Sequence, residues 1–401
     1  MIHLEIPKKF TVLVQQAQQV AQQMFRPISR KYDRAEHAYP KELDMLAALL
    51  DGTKDGGGAA GAGAAPVRGA AVEEGNKNGG NMASVLGTME LCWGDVGLLL
   101  SLPRQGLGNA AIGAVANEEQ QKRFAGRWAA MAITEPGAGS DSAAIRTTAV
   151  KDGDFYVLNG EKIFVTAGER AELVVVWATL DKNAGRAAIK SFVVEKGTPG
   201  FELVRLEHKL GIRSSDTAAF VLRDCRVPKE NLLGSPEVDV SKGFAGVMQT
   251  FDNTRPMVAA MAIGLTRACL DETRRILADA GVDISYDAPA CTQSAAAAQY
   301  LSMEADYEAA RLLALQAAWM ADNRKPNSLQ ASMAKAKAGR VCVDVALKCV
   351  ELCGSAGYAE GSLLEKWARD AKILDIFEGT QQIQLLIVAR RILGKTSSEL
   401  K

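Results

Sequence analysis

The chain has 401 residues, with 47 basic and 47 acidic side chains and 48% hydrophobic residues. That length accommodates two or three domains around a large core, and a net charge of zero gives no bulk electrostatic support for binding nucleic acid or a membrane surface. No apolar run approaches the roughly 20 residues of a membrane helix, and the opening Met1-Ile2-His3-Leu4-Glu5-Ile6-Pro7 lacks a secretory apolar core, so a cytoplasmic location is expected.

In chain order, residues 8–50 read as helical: Val12, Val20, Met24 and Ile28 recur at helix-like spacing, and Pro27 marks a kink or break. From Asp51 to Met82 glycine and alanine are too dense for a stable helix. That stretch reads as a loop, either a lid over a substrate or, favoured here, a disordered connection. Helical character resumes from Ala83 to Trp128. From Met131 to Leu233 the pattern changes to β. Residues 154–165 read as two strands around an Asn159-Gly160 turn. Glu172–Ala178 and Ser191–Glu195 are β-rich, Gly197-Thr198-Pro199-Gly200 is a turn, and Pro228 fits a strand end. Beyond Gly243, four helical patterns follow: Met257–Ala278, Ala295–Ala321, Leu329–Leu352 and Leu363–Ile376. The order is helices, strands, helical bundle. No internal repeat is evident.

Seven scattered cysteines without a C-x-x-C pair argue against a zinc site or a disulfide framework. Cys342, Cys349 and Cys353 share helical spacing and read as small apolar residues on a buried face. The three histidines, His3, His37 and His208, lie too far apart in sequence to suggest a metal cluster, and none is assigned a role.

Three segments carry chemistry: Ile133-Thr134-Glu135-Pro136-Gly137-Ala138-Gly139-Ser140-Asp141, Phe251-Asp252-Asn253-Thr254-Arg255-Pro256, and Ile376-Phe377-Glu378-Gly379-Thr380-Gln381-Gln382. Small residues in the first let backbone N–H groups approach an anion or a ring, although it lacks the G-x-G-x-x-G pattern of a nucleotide fold. In this order and at these separations, the three resemble the acyl-CoA dehydrogenase family of flavoenzymes, from about Trp93 to Arg391. The resemblance implies an α+β fold: an N-terminal α-helical domain (1–128), a middle β-barrel or sandwich domain (129–236) and a C-terminal four-helix bundle (237–401). It implies FAD-dependent α,β-dehydrogenation of an acyl-CoA thioester to the trans-2-enoyl-CoA, as in fatty acid β-oxidation.

Residue by residue, the resemblance places Met131, Ile133 and Thr134 along the isoalloxazine, with Gly139 and Ser140 near the flavin or the pantetheine. Phe164 would stack on the ring, where many relatives have tryptophan, and Thr166 would hydrogen-bond it. Thr380 and Gln382 also match cofactor positions. Glu378 is then the base that removes the α-proton while the β-hydrogen leaves as hydride to the flavin. The Glu378 N–H and a ribityl hydroxyl would polarise the thioester oxygen. Phe377 and Gly379 would line the pocket, and Asp252 and Arg255 would orient the CoA. Some relatives carry the base on the residue before that arginine; here it is Thr254, which is no carboxylate. Glu207 matches a residue that docks electron-transferring flavoprotein, the expected electron acceptor.

The pattern breaks at two places. Relatives carry R-x-x-F-G after the first helix of the C-terminal domain, which grips the ADP side of a neighbouring subunit's flavin. Residues 277–289 here contain no arginine and three aspartates, Asp279, Asp283 and Asp287, whose charge would repel a pyrophosphate. The family's Q-x-F-G-G is here Glu351-Leu352-Cys353-Gly354-Ser355. Both losses fall on the surface that serves a neighbour's cofactor. They suggest one subunit of a heterotetramer similar to the bacterial α2β2 enzymes, with a paralogous partner supplying the ADP-side motif. The alternatives are a non-catalytic acyl-CoA-binding or assembly subunit without flavin, and an acyl-CoA oxidase.

Overall fold

The computed structural model describes residues 6–52, 77–103, 107–238, 245–396 and 399. Most of the glycine- and alanine-rich stretch lies outside them, so neither reading of it is addressed. In chain order, the helices are α1 (Thr11–Val20), α2 (Arg26–Arg34), α3 (Glu42–Gly52), α4 (Gly80–Gly94), α5 (Val96–Leu100), α6 (Leu107–Val115), α7 (Glu118–Arg123), α8 (Ala245–Asp279), α9 (Ala295–Asp322), α10 (Ser328–Tyr358), α11 (Leu364–Leu374) and α12 (Gln381–Leu393). Between α7 and α8 run β1 (Ala129–Ala132), β2 (Thr148–Asp152), β3 (Phe155–Thr166), β4 (Leu173–Thr179), β5 (Ile189–Glu195), β6 (Phe201–Leu206) and β7 (Thr217–Pro228).

The helical core joins α4, α8, α9, α10 and α11 through side chains such as Leu86, Met89, Ile263, Leu265, Leu315 and Trp367. Its buried thiols Cys92, Cys269, Cys342 and Cys349 behave as small apolar groups, burial pushing each one's pKa upward. Pro27 does not break the first helix. A π-helical segment, Ala21–Phe25, sits just before it, and the Arg26 N–H donates to the carbonyl of Ala21. The wider turn lets the chain pass the proline with a local bulge. Likewise α8 runs through Pro256, beginning twelve residues before the expected Met257 start.

The sheet order is β1-β4-β2-β3-β7-β6, with β5 also on β4. β4 is buried along its whole length, and its alternate side chains enter two cores. Val174, Val176 and Ala178 meet Leu158, Val165 and Phe220; Leu173, Val175 and Trp177 meet Ile112 of α6 and Phe124, the residue that ends α7. That is the period-2 split of a strand covered on both faces.

One expectation fails here and another is extended. Asn159-Gly160 is no hairpin turn: β3 runs straight through it, with a bulge against β7 between Leu158 and Gly160. The Asp224 N–H donates to Asn159 Oδ1 at 2.8 Å, and a Cβ at position 160 would strike Thr147. The glycine therefore serves a bulge and a close approach. The turn lies earlier, at Gly153-Asp154, between the paired Asp152 and Phe155. The C-terminal region also holds five helices among the described residues, the fifth being α12. Only Gln384 of α12 is buried, so its apolar side chains form no inward stripe to announce it.

Candidate active site

The loop between α11 and α12 is built around two left-handed residues, Glu378 at φ 55° and Gly379 at φ 93°. For a residue with a Cβ that conformation is strained and persists only where its surroundings hold it. Lys335 of α10 is buried and donates its ammonium to the Gly379 carbonyl at 2.7 Å. Gln384, buried in the first turn of α12, reaches back to the carbonyls of Glu378 at 3.1 Å and Gly379 at 3.3 Å. Thr380 caps α12, its hydroxyl accepting from the Ile383 N–H at 3.3 Å. The Phe377 N–H donates to Ile373 O at 3.0 Å, whereas the Glu378 N–H donates to no described group. Gln382 is exposed.

The Glu378 carboxylate turns toward α8, where the Thr254 hydroxyl donates to Oε2 at 2.9 Å. Burial pushes the Glu378 pKa up; the Thr254 hydrogen bond and the charges of Arg255 and Lys335 draw it partly back. Burial also brings Lys335 down to about 8, against the pull of Asp375 and Glu378. Thr254 and Arg255 are buried on α8. For Asp252 only the helical backbone is described.

A second set of predicted residues gathers where β1 ends. The Ile163 N–H of β3 donates to Thr134 O at 2.9 Å, so the Met131–Thr134 and Phe164–Thr166 segments lie side by side. Phe164 stands at φ 57° with 59% of its surface exposed, an aromatic face turned out of the sheet. Thr134 and Thr166 are half-buried, and their hydroxyls make no hydrogen bond among the described residues. Gly139 and Ser140 are exposed, with nothing within 4 Å of a Cβ at Gly139. No hydrogen bond or ion pair among the described residues joins this set to the Glu378 loop.

Sequence reasoning missed the pin beneath this set. Lys162 is fully buried, 2.7 Å from Glu135 Oε1 and 3.1 Å from the Ile133 carbonyl. Glu135 also accepts from the N–H groups of Arg146 at 2.6 Å and Thr147 at 3.0 Å, and from the Thr147 hydroxyl at 2.5 Å. Burial lowers Lys162 to about 8 although Glu135 opposes it. Glu135 ends below its usual range: burial works against ionisation, but Lys162, Thr147 and the backbone donors outweigh it. The pair welds the turn at Glu135–Ala138 to β3. A lysine one step out of phase, just after the Gly160 bulge, was the available signal. Lys335 was missed as well, because it acts from another helix, and Gln384, at the end of the same motif as Glu378, was given no role.

At the segments where the sequence reading expected a broken ADP-side motif, the structure shows engaged groups. Arg275 holds Glu272 at 2.8 Å and Asp279 at 2.9 Å, and Arg274 meets the Tyr286 hydroxyl at 3.3 Å. Glu351 pairs with Lys348 at 2.6 Å, and Gly354 keeps a kink at φ 53° inside α10. Glu207 lies 2.8 Å from Arg205.

The fold and site set a half-buried carboxylate in a loop of a helical bundle, next to a β domain with an open aromatic face. The family models for the acyl-CoA dehydrogenase middle domain and C-terminal domain match residues 130–225 and 241–393. A short-chain specific acyl-CoA dehydrogenase of Clostridium acetobutylicum is 34% identical over 328 residues, 80% of this chain and 84% of the relative. Subunit CarC of the caffeyl-CoA reductase–Etf complex of Acetobacterium woodii is 36% identical over 266 residues, 66% of this chain and 68% of that one. The solved structure of butyryl-CoA dehydrogenase from Megasphaera elsdenii superposes with a TM-score of 0.84 at 29% identity, covering 98% of this chain and all of that one.

The chain belongs to the acyl-CoA dehydrogenase family, flavoprotein oxidoreductases that use FAD to dehydrogenate acyl-CoA thioesters. An exposed aromatic face flanked by two hydroxyls with hydrogen-bonding capacity to spare fits a flat, polar ring of the isoalloxazine kind.

Proposed function

We propose that this chain is the base-bearing subunit of a heteromeric acyl-CoA dehydrogenase acting on a small acyl group, with electrons passing to electron-transferring flavoprotein. The observation that carries the base assignment is the Glu378 loop: a desolvated carboxylate next to a backbone N–H with no internal acceptor. Met131, Ile133, Thr134, Phe164 and Thr166 would hold the flavin ring. FAD, when bound, takes the β-hydrogen with its electron pair.

The protein's own part is at the α-carbon. Glu378 accepts the α-proton at a carboxylate oxygen, and the α C–H electrons become the new double bond. The Glu378 N–H donates to the thioester oxygen and stabilises the charge that grows there. A carboxylate raised toward neutrality is a stronger base than one in water, and its pKa comes nearer to that of its task. Lys335 and Gln384 hold the loop carbonyls, so that N–H and carboxylate keep one orientation. Phe377 and Gly379 would wall the thioester, and Ser140, Asp252 and Arg255 the CoA arm.

Relatives named for short-chain and butyryl substrates support a small acyl group, and an Etf-complex subunit among them supports the acceptor. Engaged arginines and aspartates at the ADP-side position support a paralogous partner, as do the exposed Leu385, Ile392 and Leu393 on α12, an apolar surface of the kind subunits cover. Cytoplasmic placement belongs to the same reading.

Glu378→Gln tests the base. Turnover should fall by about 10²–10⁴-fold or more while acyl-CoA still perturbs the flavin spectrum, and undiminished turnover would refute the assignment.

A further inference from the structure

The fold brings together two of the three histidines in the chain. His37 follows Glu36 in the connection from α2 to α3, and His208 lies two residues beyond β6. Their ring centroids are 5.2 Å apart at 54°. Glu36 Oε2 is 2.8 Å from His208 Nδ1, and Glu36 Oε1 accepts from the Lys209 N–H at 2.9 Å. One donor atom from each of Glu36, His37 and His208 lies within 4.8 Å of the other two.

His37 is the unusual member. Both its ring nitrogens are closed off from solvent, and neither has a hydrogen-bond partner among the described residues. Buried polar atoms normally have partners, so an unmatched pair calls for an explanation. Its backbone stands at φ 67°, held by its N–H on Arg213 O at 3.3 Å and by Arg170 on the carbonyls of His37 at 3.4 Å and Ala38 at 3.2 Å.

We propose that Glu36, His37 and His208 form a binding site for one divalent ion of the zinc class, with water as fourth ligand, clipping the α2–α3 connection to the β6–β7 connection. Two imidazoles and one carboxylate are a donor set that zinc accepts and that calcium and magnesium, which want oxygens, do not. A ligand imidazole must be neutral; burial and then the Lys209 charge push the His37 pKa down. The nearby cations face partners of their own: Lys209 donates to Ser215 O at 2.8 Å, and Arg170 lies 3.3 Å from Asp216. Donors around a tetrahedral zinc ion stand roughly 3.3 Å apart, so the 2.8 Å contact of Glu36 with His208 must open and any separation near 4.8 Å must close. The His208 side chain, 84% exposed, supplies that movement by rotating. His37 also stands in the wall of a cleft of about 600 Å³.

The test uses the full chain without a histidine tag, stripped with a chelator and titrated with Co²⁺, then with Zn²⁺ in competition. The expected result is one equivalent of Co²⁺ with tetrahedral visible bands, no thiolate charge-transfer band, and displacement by Zn²⁺. His208→Ala, which alters an exposed side chain, and His37→Ala should each weaken Zn²⁺ by about 100-fold or more, and His3→Ala should leave binding intact. The proposal is overturned by substoichiometric binding in the parent chain, by binding that survives both the His37 and His208 variants, by loss in His3→Ala, or by a thiolate band.

Discussion

The proton affinity of Glu378 is set by burial and by three neighbours whose effects have definite signs. Burial raises its pKa, and the Thr254 hydroxyl, Arg255 and Lys335 lower it. If Glu378 is the base, only its ionised form accepts the α-proton, and activity should fall as pH drops through this pKa. Thr254→Val removes a lowering influence and should move the acid limb of kcat to higher pH. Lys335→Met should do the same and also release the Gly379 carbonyl, with Lys335→Arg restoring part of the profile. An acid limb that stays in place in both Thr254→Val and Lys335→Met would show that neither group tunes the base. Gly379→Ala places a Cβ against the Gln384 amide at φ 93°. A left-handed alanine costs about 1–2 kcal/mol, and because the strain falls on the loop itself, kcat should drop more than stability. Glu378 was legible from the sequence as a candidate because its neighbours in the chain are part of the motif. Lys335 was not, because it reaches the loop from another helix; Gln384 stands close by in the chain, but only the fold of the loop turns its amide back onto the carbonyls.

At the level of elements, a buried ionic cluster ties the N-terminal helices to α11. Lys366 of α11 pairs with Asp370 at 2.6 Å and with Asp95, the residue that caps α5 by accepting from the Leu98 N–H at 2.8 Å. Asp370 in turn accepts from the Ile212 N–H at 2.5 Å, reaching the β6–β7 connection. Arg369 and Asp33 of α2 add a second pair at 2.6 Å. Lys366→Met would leave two buried carboxylates without their cation and should cost about 3–5 kcal/mol, read from chemical denaturation. Burial, with Asp95 adding to it, raises the pKa of Asp370, so part of this loss should be recovered on acidification as the carboxyl takes up a proton. Equal stability of variant and parent at neutral pH would mean that the cluster contributes nothing net. Periodicity could not reveal these contacts, since it reports which face of a helix is apolar and not which charge lies across from it. The Asn159-Gly160 bulge shows the same limit: the dipeptide announces a bend in the backbone, and the partner strand decides whether that bend reverses the chain.

For the whole molecule, the cofactor question is one of subunits. If a paralogue supplies the ADP-side contacts, the chain purified alone should show little flavin absorption, and co-purification with a partner bearing the arginine motif should restore it. Tight stoichiometric FAD and full turnover in the isolated chain would sink the heteromeric reading and leave the base assignment standing. Among the described residues no helix is long and apolar enough to cross a membrane.

The sequence alone determined the order of helices, sheet and bundle, because hydrophobic period and turn residues are local signals. It also determined the identity of Glu378, Thr134 and Phe164 as candidates, because their motifs are contiguous. Only the tertiary structure decided that Thr254 of α8 and Lys335 of α10 converge on Glu378, that Lys162 locks the turn after β1, and that His37 and His208 face each other across 171 residues of chain. These pairings depend on how elements pack against one another, and packing joins residues whose separation along the chain carries no signal.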